Sequence, residues 1–184
     1  MVIGIIIAVV VILAIYIIAT YNKFVTLKNQ AEEAVSQIDA HLKQRYDLVP
    51  NLVETVKGYA AHEAGTLEAV IKARNAGMNA QTLAEKDQAA AGLTGALKSL
   101  FALSESYPEL KANEGFVNLQ NQLKELETEI LSARKYYNAV VKTFNTATQV
   151  FPGSLVAGLF GAKFPKLEYL QIEDEARQNV KVKF

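Results

Sequence analysis

Residues 1 to 22, MVIGIIIAVVVILAIYIIATYN, carry no charged side chain, and the first charge is Lys23. About 20 apolar residues cross a hydrocarbon core of ~30 Å as a helix. A cleaved signal peptide would need a basic leader, a shorter apolar run and an A-x-A-type site, and the stretch has none of these. Residues 1–22 are therefore expected to be a permanent transmembrane anchor that meets membrane lipid through residues 2–21. Only the α-amino group precedes the span as a basic group, whereas Lys23, Lys28, Lys43 and Arg45 follow it. The positive-inside rule then places the N-terminus outside and the remaining domain in the cytoplasm. Gly4 and Ala8 form a small-xxx-small pair, a spacing that lets helices approach closely but recurs by chance.

Beyond the anchor, apolar residues recur at steps of three and four. The clearest run is Phe116, Leu119, Leu123, Leu126, Ile130, Ala133, Tyr137, Val140, Phe144, Ala147 and Phe151, the seam of a long coiled-coil-like helix. Asn113 is its expected N-cap, and Pro152-Gly153 its stop. Ala90, Leu93, Leu97, Leu100 and Phe101 mark an earlier helix. The segment AGMNAQT, 76 to 82, reads as a connecting loop, and only VKVKF at the C-terminus alternates like a strand.

Pro50 interrupts the remaining pattern, in DLVPNLVETVKGYAAHE, residues 47–63. Proline in a helix interior costs ~3 kcal/mol, but almost nothing in the first turn. An unbroken helix to residue 75 would be ~80 Å long at 1.5 Å per residue and would leave an apolar stripe uncovered. Splitting the chain near residues 46 to 50 yields rods of matching length. The expected fold is therefore all-α: an anchor followed by an antiparallel up-and-down four-helix bundle, with helices near 22–46, 50–75, 83–106 and 113–150. The domains are then the anchor (1–22), the bundle (23–151), and a short C-terminal helix with an extended tail (152–184).

Several phrases occur in order along the chain: Tyr21-Asn22, QIDAHLKQRYDLVPNLVETVKGYAAHE, SESYPELKAN, ARKYYNAVVKTFN and Phe151-Pro152. Together they resemble the LemA family of bacterial membrane proteins, over essentially the whole chain. The resemblance implies an N-terminal membrane helix, an antiparallel helical bundle and no established enzymatic activity. It also implies a bacterial inner-membrane setting, with relatives connected to membrane stress alongside a membrane metalloprotease and one branch to building magnetosome membranes. A membrane protease or other membrane proteins are the partners it points to.

Residue chemistry offers no rival to that reading. Lys+Arg and Asp+Glu are both 19 in 184 residues, so no electrostatic case for nucleic-acid binding exists. The chain has no Cys and only two His, which excludes disulfides, thiolate metal sites and a cysteine nucleophile. His62-Glu63 lacks the second His that a zinc-protease helix carries. His41 reads as packed or surface-exposed, and Glu125, Glu127 and Glu129 as a solvated face. No nucleophile signature or phosphate loop occurs. No catalytic residue, cofactor or metal is nominated.

Two function classes follow: a membrane-anchored scaffold acting by self-association and partner binding, and a lipid-surface or membrane-shaping protein whose C-terminal segment touches the bilayer. Bundle parity would bring Arg45, Asp47, Pro50 and Asn51 to one tip with Tyr107, Pro108, Lys111 and Asn113, as an interaction site or as helix caps. Arg45 would either take a carboxylate or carbonyl partner inside the bundle or snorkel outward. The end of the last helix and the segment after it contribute Val140, Phe144, Phe151, Leu155, Leu159 and Phe160. These are expected to form an oligomer or membrane-proximal surface, and a homo-oligomer is expected. Residues 154–162 are too short to span; they can lie in the membrane interface or plug the open end of the bundle.

Overall fold

The computed structural model describes residues 1–60 and 62–171. The VKVKF alternation and most of the expected C-terminal tail lie outside them. The described chain is all-α: α1 (Val2–Lys57), α2 (Ala64–Asn79), α3 (Leu83–Ser104), α4 (Pro108–Lys111), α5 (Glu114–Gln149) and α6 (Gly153–Leu159), then a 3-10 turn at Gly161–Lys163. Val2–Lys57 contains a stretch long and apolar enough to cross a membrane.

The expected break near Pro50 does not occur. α1 runs unbroken from Val2 to Lys57 with Pro50 inside it. Proline at position 50 has no N–H, so the carbonyl of Tyr46, four residues back, loses its helical partner. That carbonyl accepts a hydrogen bond from Arg74 Nε of α2 at 3.0 Å. A side chain from the next helix thus replaces the bond that proline removes, a compensation that pattern reading along one strand of sequence does not reveal. α2 also approaches closely here: a Cβ on Gly77 would stand 2.4 Å from Cζ and Oη of Tyr46. Gly77 is therefore helical and buried under a ring, and the loop expected at 76–82 shrinks to Ala80–Thr82.

The chain forms two compact units, one from Met1–Val35 with Lys135–Tyr169, the other from Ser36–Arg134 with Leu170. In the second unit Ile38, Leu42, Val49, Leu52, Val56, Val70, Leu93, Leu97, Leu100, Phe116, Leu123 and Ile130 are buried. α3 runs antiparallel to α5, since Asp87 meets Arg134, Thr94 meets Glu127 and the ring of Phe101 meets Phe116. α3 starts with a capping box in which Thr82 and Glu85 satisfy each other's backbone N–H. α5 starts at its expected cap: Phe116 N–H donates to Asn113 Oδ1 at 2.9 Å.

The first unit centres on Phe24, Phe144, Val156 and Phe164, with Phe164 edge-on to Phe24 at 5.3 Å. Residues 1–16 are all exposed. Val140 and Phe144, expected to seek a partner in another subunit, are 7% and 0% exposed within this chain. Phe144 is covered by Phe24 of α1 together with the segment after α5, which folds back to supply Val156 and Phe164.

Candidate functional site

The densest polar cluster lies in the second unit. Arg45, with only 3% exposure, places Nη2 2.7 Å from Glu127 Oε2 and donates to Thr94 Oγ1 at 2.9 Å. Of the two fates open to Arg45, the inward one is realised. Lys86 Nζ reaches both oxygens of Asp39, at 2.9 and 2.8 Å. Arg134 pairs with Asp87 at 2.8 Å, and His41 Nδ1 lies 3.1 Å from Glu129 Oε2. Glu127 and Glu129 are thus half-exposed partners of α1 rather than a free solvated face. The heptad reading missed this because it assigns faces to one helix at a time.

Each of the Arg and Lys side chains in this cluster faces a carboxylate on a different helix. Such an arrangement fixes register between α1, α3 and α5. Beside it, Ile38, Leu42, Leu83, Lys86, Asp87 and Arg134 line a crevice of about 160 Å³, part of it open to solvent. The crevice has no enclosed space for even a water molecule. Among the described residues no group of three or more His, Cys, Asp or Glu side chains could hold a metal ion.

The nearby Tyr46 is buried, and its hydroxyl finds no hydrogen-bond partner among the described residues. Burial pushes this phenol above its ordinary value, against the opposing pull of Arg45 and Arg134.

The expected tip is assembled differently. Tyr107 OH donates to Glu63 Oε1 at 3.2 Å, and Asn113 Nδ2 donates to Tyr59 OH at 3.1 Å. Lys111 pairs with Glu105, and Pro108 opens α4. The turn beside Tyr107, Pro108, Lys111 and Asn113 is therefore the one after α1, carrying Tyr59 and Glu63. Arg45, Asp47, Pro50 and Asn51 lie within α1 instead; Arg45 is buried, whereas Asp47, Pro50 and Asn51 are exposed. The displacement is the direct result of α1 continuing through Pro50.

The first unit carries the second functional candidate. Asn145, 4% exposed, donates from Nδ2 to the Leu167 carbonyl at 2.8 Å and accepts from the Leu167 N–H at 3.0 Å. Tyr137 OH donates to the Glu168 carbonyl at 3.0 Å. These two side chains of α5 clamp the returning segment in place. Both lie in ARKYYNAVVKTFN, and a tyrosine on the apolar seam with an asparagine beside it was the available signal. Of the expected surface residues, Phe151, Leu155 and Leu159 are 79%, 62% and 70% exposed, while Phe160 is 37% exposed and packs edge-on against Tyr21 at 4.9 Å.

A chain whose described residues hold one membrane-length apolar helix, an all-helical body and charges matched across helices is a membrane-associated helical protein. The LemA family profile matches residues 34–184, and the chain belongs to the LemA family. It is similar to magnetosome protein MamQ 2 of Paramagnetospirillum magneticum, 25% identical over 177 residues, covering 82% of this chain and 64% of that protein. MamQ of Magnetospirillum gryphiswaldense is 24% identical over 175 residues, 81% of this chain and 64% of that one. Protein LemA of Metamycoplasma hominis is 26% identical over 140 residues, 74% of this chain and 63% of that one. The chain thus spans a little under two thirds of the length of these curated relatives.

Proposed function

We propose that this protein is a non-enzymatic scaffold, held at the bacterial inner membrane by α1, that acts through self-association and binding of partner proteins. One observation carries the reading: the ionisable side chains best placed for chemistry, Arg45, Glu127, Asp87, Arg134, Asp39 and Lys86, are engaged in holding helices together. Helices fixed in register by matched charges, on a chain that carries a membrane-length helix, suit presentation of a surface. Tyr59, Tyr107, Pro108, Lys111 and Asn113 supply a polar and aromatic patch for a partner, a membrane protease or another membrane protein. The magnetosome names of the MamQ relatives favour membrane organisation as the context, with membrane stress the other setting the family implies. The basic residues that follow the span favour a cytoplasmic body and an outside N-terminus.

The chain lacks cysteine, so Glu125→Cys gives a single labelling site on an exposed position of α5. Copies labelled there and reconstituted in vesicles should show energy transfer that persists as lipid dilutes the protein. Transfer that falls to the random-encounter level would overturn self-association. The same cysteine should react with a membrane-impermeant maleimide only after cells are lysed; labelling of intact cells would place the body outside.

A further inference from the structure

The segment after α5 is amphipathic in an unusual place. On one side Val156 and Phe164 enter the cluster with Phe24 and Phe144. On the other, Phe151, Leu155 and Leu159 recur at four-residue steps and stand 79%, 62% and 70% exposed. The segment is held firmly, by Asn145 and Tyr137 through Leu167 and Glu168 and by the rings of Phe160 and Phe164 against Tyr21 at 4.9 and 5.4 Å. This outward apolar stripe is therefore a fixed feature of the first unit.

Its level along α1 identifies what covers it. The apolar stretch of α1 ends at Tyr21-Asn22, and Lys23 is its first charge; a tyrosine there suits the aromatic belt of a membrane boundary. The face of α1 that the cluster covers begins inside that stretch, with Ile17 packed against it one turn before Tyr21. Four residues at 1.5 Å each put Ile17 about 6 Å deeper than Tyr21. Side chains that reach Ile17 stand at the depth of the acyl boundary, since interfacial helices bury their apolar face ~5–10 Å into it. Lys163 donates to Tyr21 OH at 2.9 Å and lies 5.4 Å from the ring centre, which brings its charge to the headgroup level.

We propose that residues 150–160 form an interfacial foot: α6 lies in the headgroup–acyl boundary of the bilayer that α1 crosses, with Phe151, Leu155 and Leu159 in contact with lipid. The foot contacts the protein with one face and the membrane with the other. It thereby fixes how α1 meets the bilayer surface. This rests on α1 being a membrane span, which the experiment checks separately.

The chain has no tryptophan, so Leu155→Trp and Leu159→Trp each install a lone fluorophore at an exposed position. Full-length protein carrying either one is reconstituted in vesicles of zwitterionic phospholipid, with or without bromine on the acyl carbons near the headgroup. Both reporters should lose most of their emission in the brominated vesicles and resist quenching by aqueous iodide. Quenching by iodide alone would show a water-exposed stripe, and protection from both quenchers would show a stripe covered by a second copy; either result overturns the foot. Ile7→Trp, in the middle of the apolar stretch, serves as the span control. If that reporter also escapes bromolipid, the membrane reading of α1 fails, whereas its quenching with unquenched Leu155→Trp and Leu159→Trp removes the foot alone.

Discussion

Three residues around Pro50 show how an interior proline becomes tolerable. Arg74 serves the Tyr46 carbonyl that Pro50 orphans, so the two substitutions are coupled. Arg74→Met should cost about 1–3 kcal/mol, the penalty for a buried acceptor left unpaired. In a Pro50→Ala background the helix supplies that partner itself, and the same substitution should cost at least ~1 kcal/mol less in urea unfolding. Equal costs in both backgrounds would refute the compensation. Gly77→Ala adds a methyl where Tyr46 already stands, and with the ring buried it should destabilise by about 1–3 kcal/mol, although alanine favours helix by ~1 kcal/mol. Tyr46→Phe removes a buried hydroxyl that has no hydrogen-bond partner among the described residues, and should leave stability unchanged or raise it by up to ~1 kcal/mol. Its pH signature has a definite sign. The folded phenol titrates above its unfolded value because burial disfavours the phenolate. Its contribution is present in full below the ordinary tyrosine value of about 10 and is lost as pH rises from there through the folded value. Denaturation midpoints measured above about pH 10 should therefore fall less steeply for Tyr46→Phe than for the parent.

At the scale of elements, polar side chains decide which helices meet and where. Glu127 is 45% exposed and Arg45 only 3%, so the pair is asymmetric. Glu127→Ala leaves a buried guanidinium without its carboxylate, whereas Arg45→Met leaves a carboxylate that water can reach. The former should cost about 3 kcal/mol and the latter clearly less, since a buried charge that loses its counter-ion is penalised more than an exposed one. Thermal unfolding that ranks them the other way would show that packing, not charge, dominates at Arg45. Asn145 binds both backbone groups of Leu167, so Asn145→Leu should cost about 2 kcal/mol or more. It should also speed amide hydrogen exchange at Leu167 specifically, and unchanged protection there would remove the clamp.

At the scale of the molecule, location and stability are assigned to different stretches of one helix. Residues 1–16 are wholly exposed, whereas Ile17, Tyr21 and Phe24 pack into the first unit. Deleting residues 1–16 should abolish membrane insertion and leave the thermal midpoint of the product within error of the undeleted protein in detergent. Deleting residues 1–24 removes Phe24 from the cluster, and loss of a buried phenylalanine costs ~3–5 kcal/mol. A midpoint equally lowered by both deletions would show that the apolar stretch contributes to folding as well as anchoring.

Much of this was legible in the residue order. Helical class, the apolar N-terminal helix, the Asn113 cap, the extent of α5 and the buried seam from Phe116 to Tyr137 all follow from charge, capping chemistry and a repeating step, which act over neighbouring residues. The Thr82–Glu85 capping box was equally legible and agrees with the expected start of α3; the error in the loop at 76–82 lies at its other end, where α2 runs on to Asn79. What the sequence did not determine depends on groups far apart in the chain. Pro50 is a helix breaker by local rules, and only Arg74, 24 positions later, makes it an interior residue. Phe144 reads as surface in search of a partner until the segment after Gln149 turns back and covers it. Asp39, His41 and Arg45 acquire their meaning from Lys86, Glu129 and Glu127. Periodicity reports which face of a helix turns inward, because that is set within one turn; which side chain waits there is set by packing, and only the tertiary structure decides it.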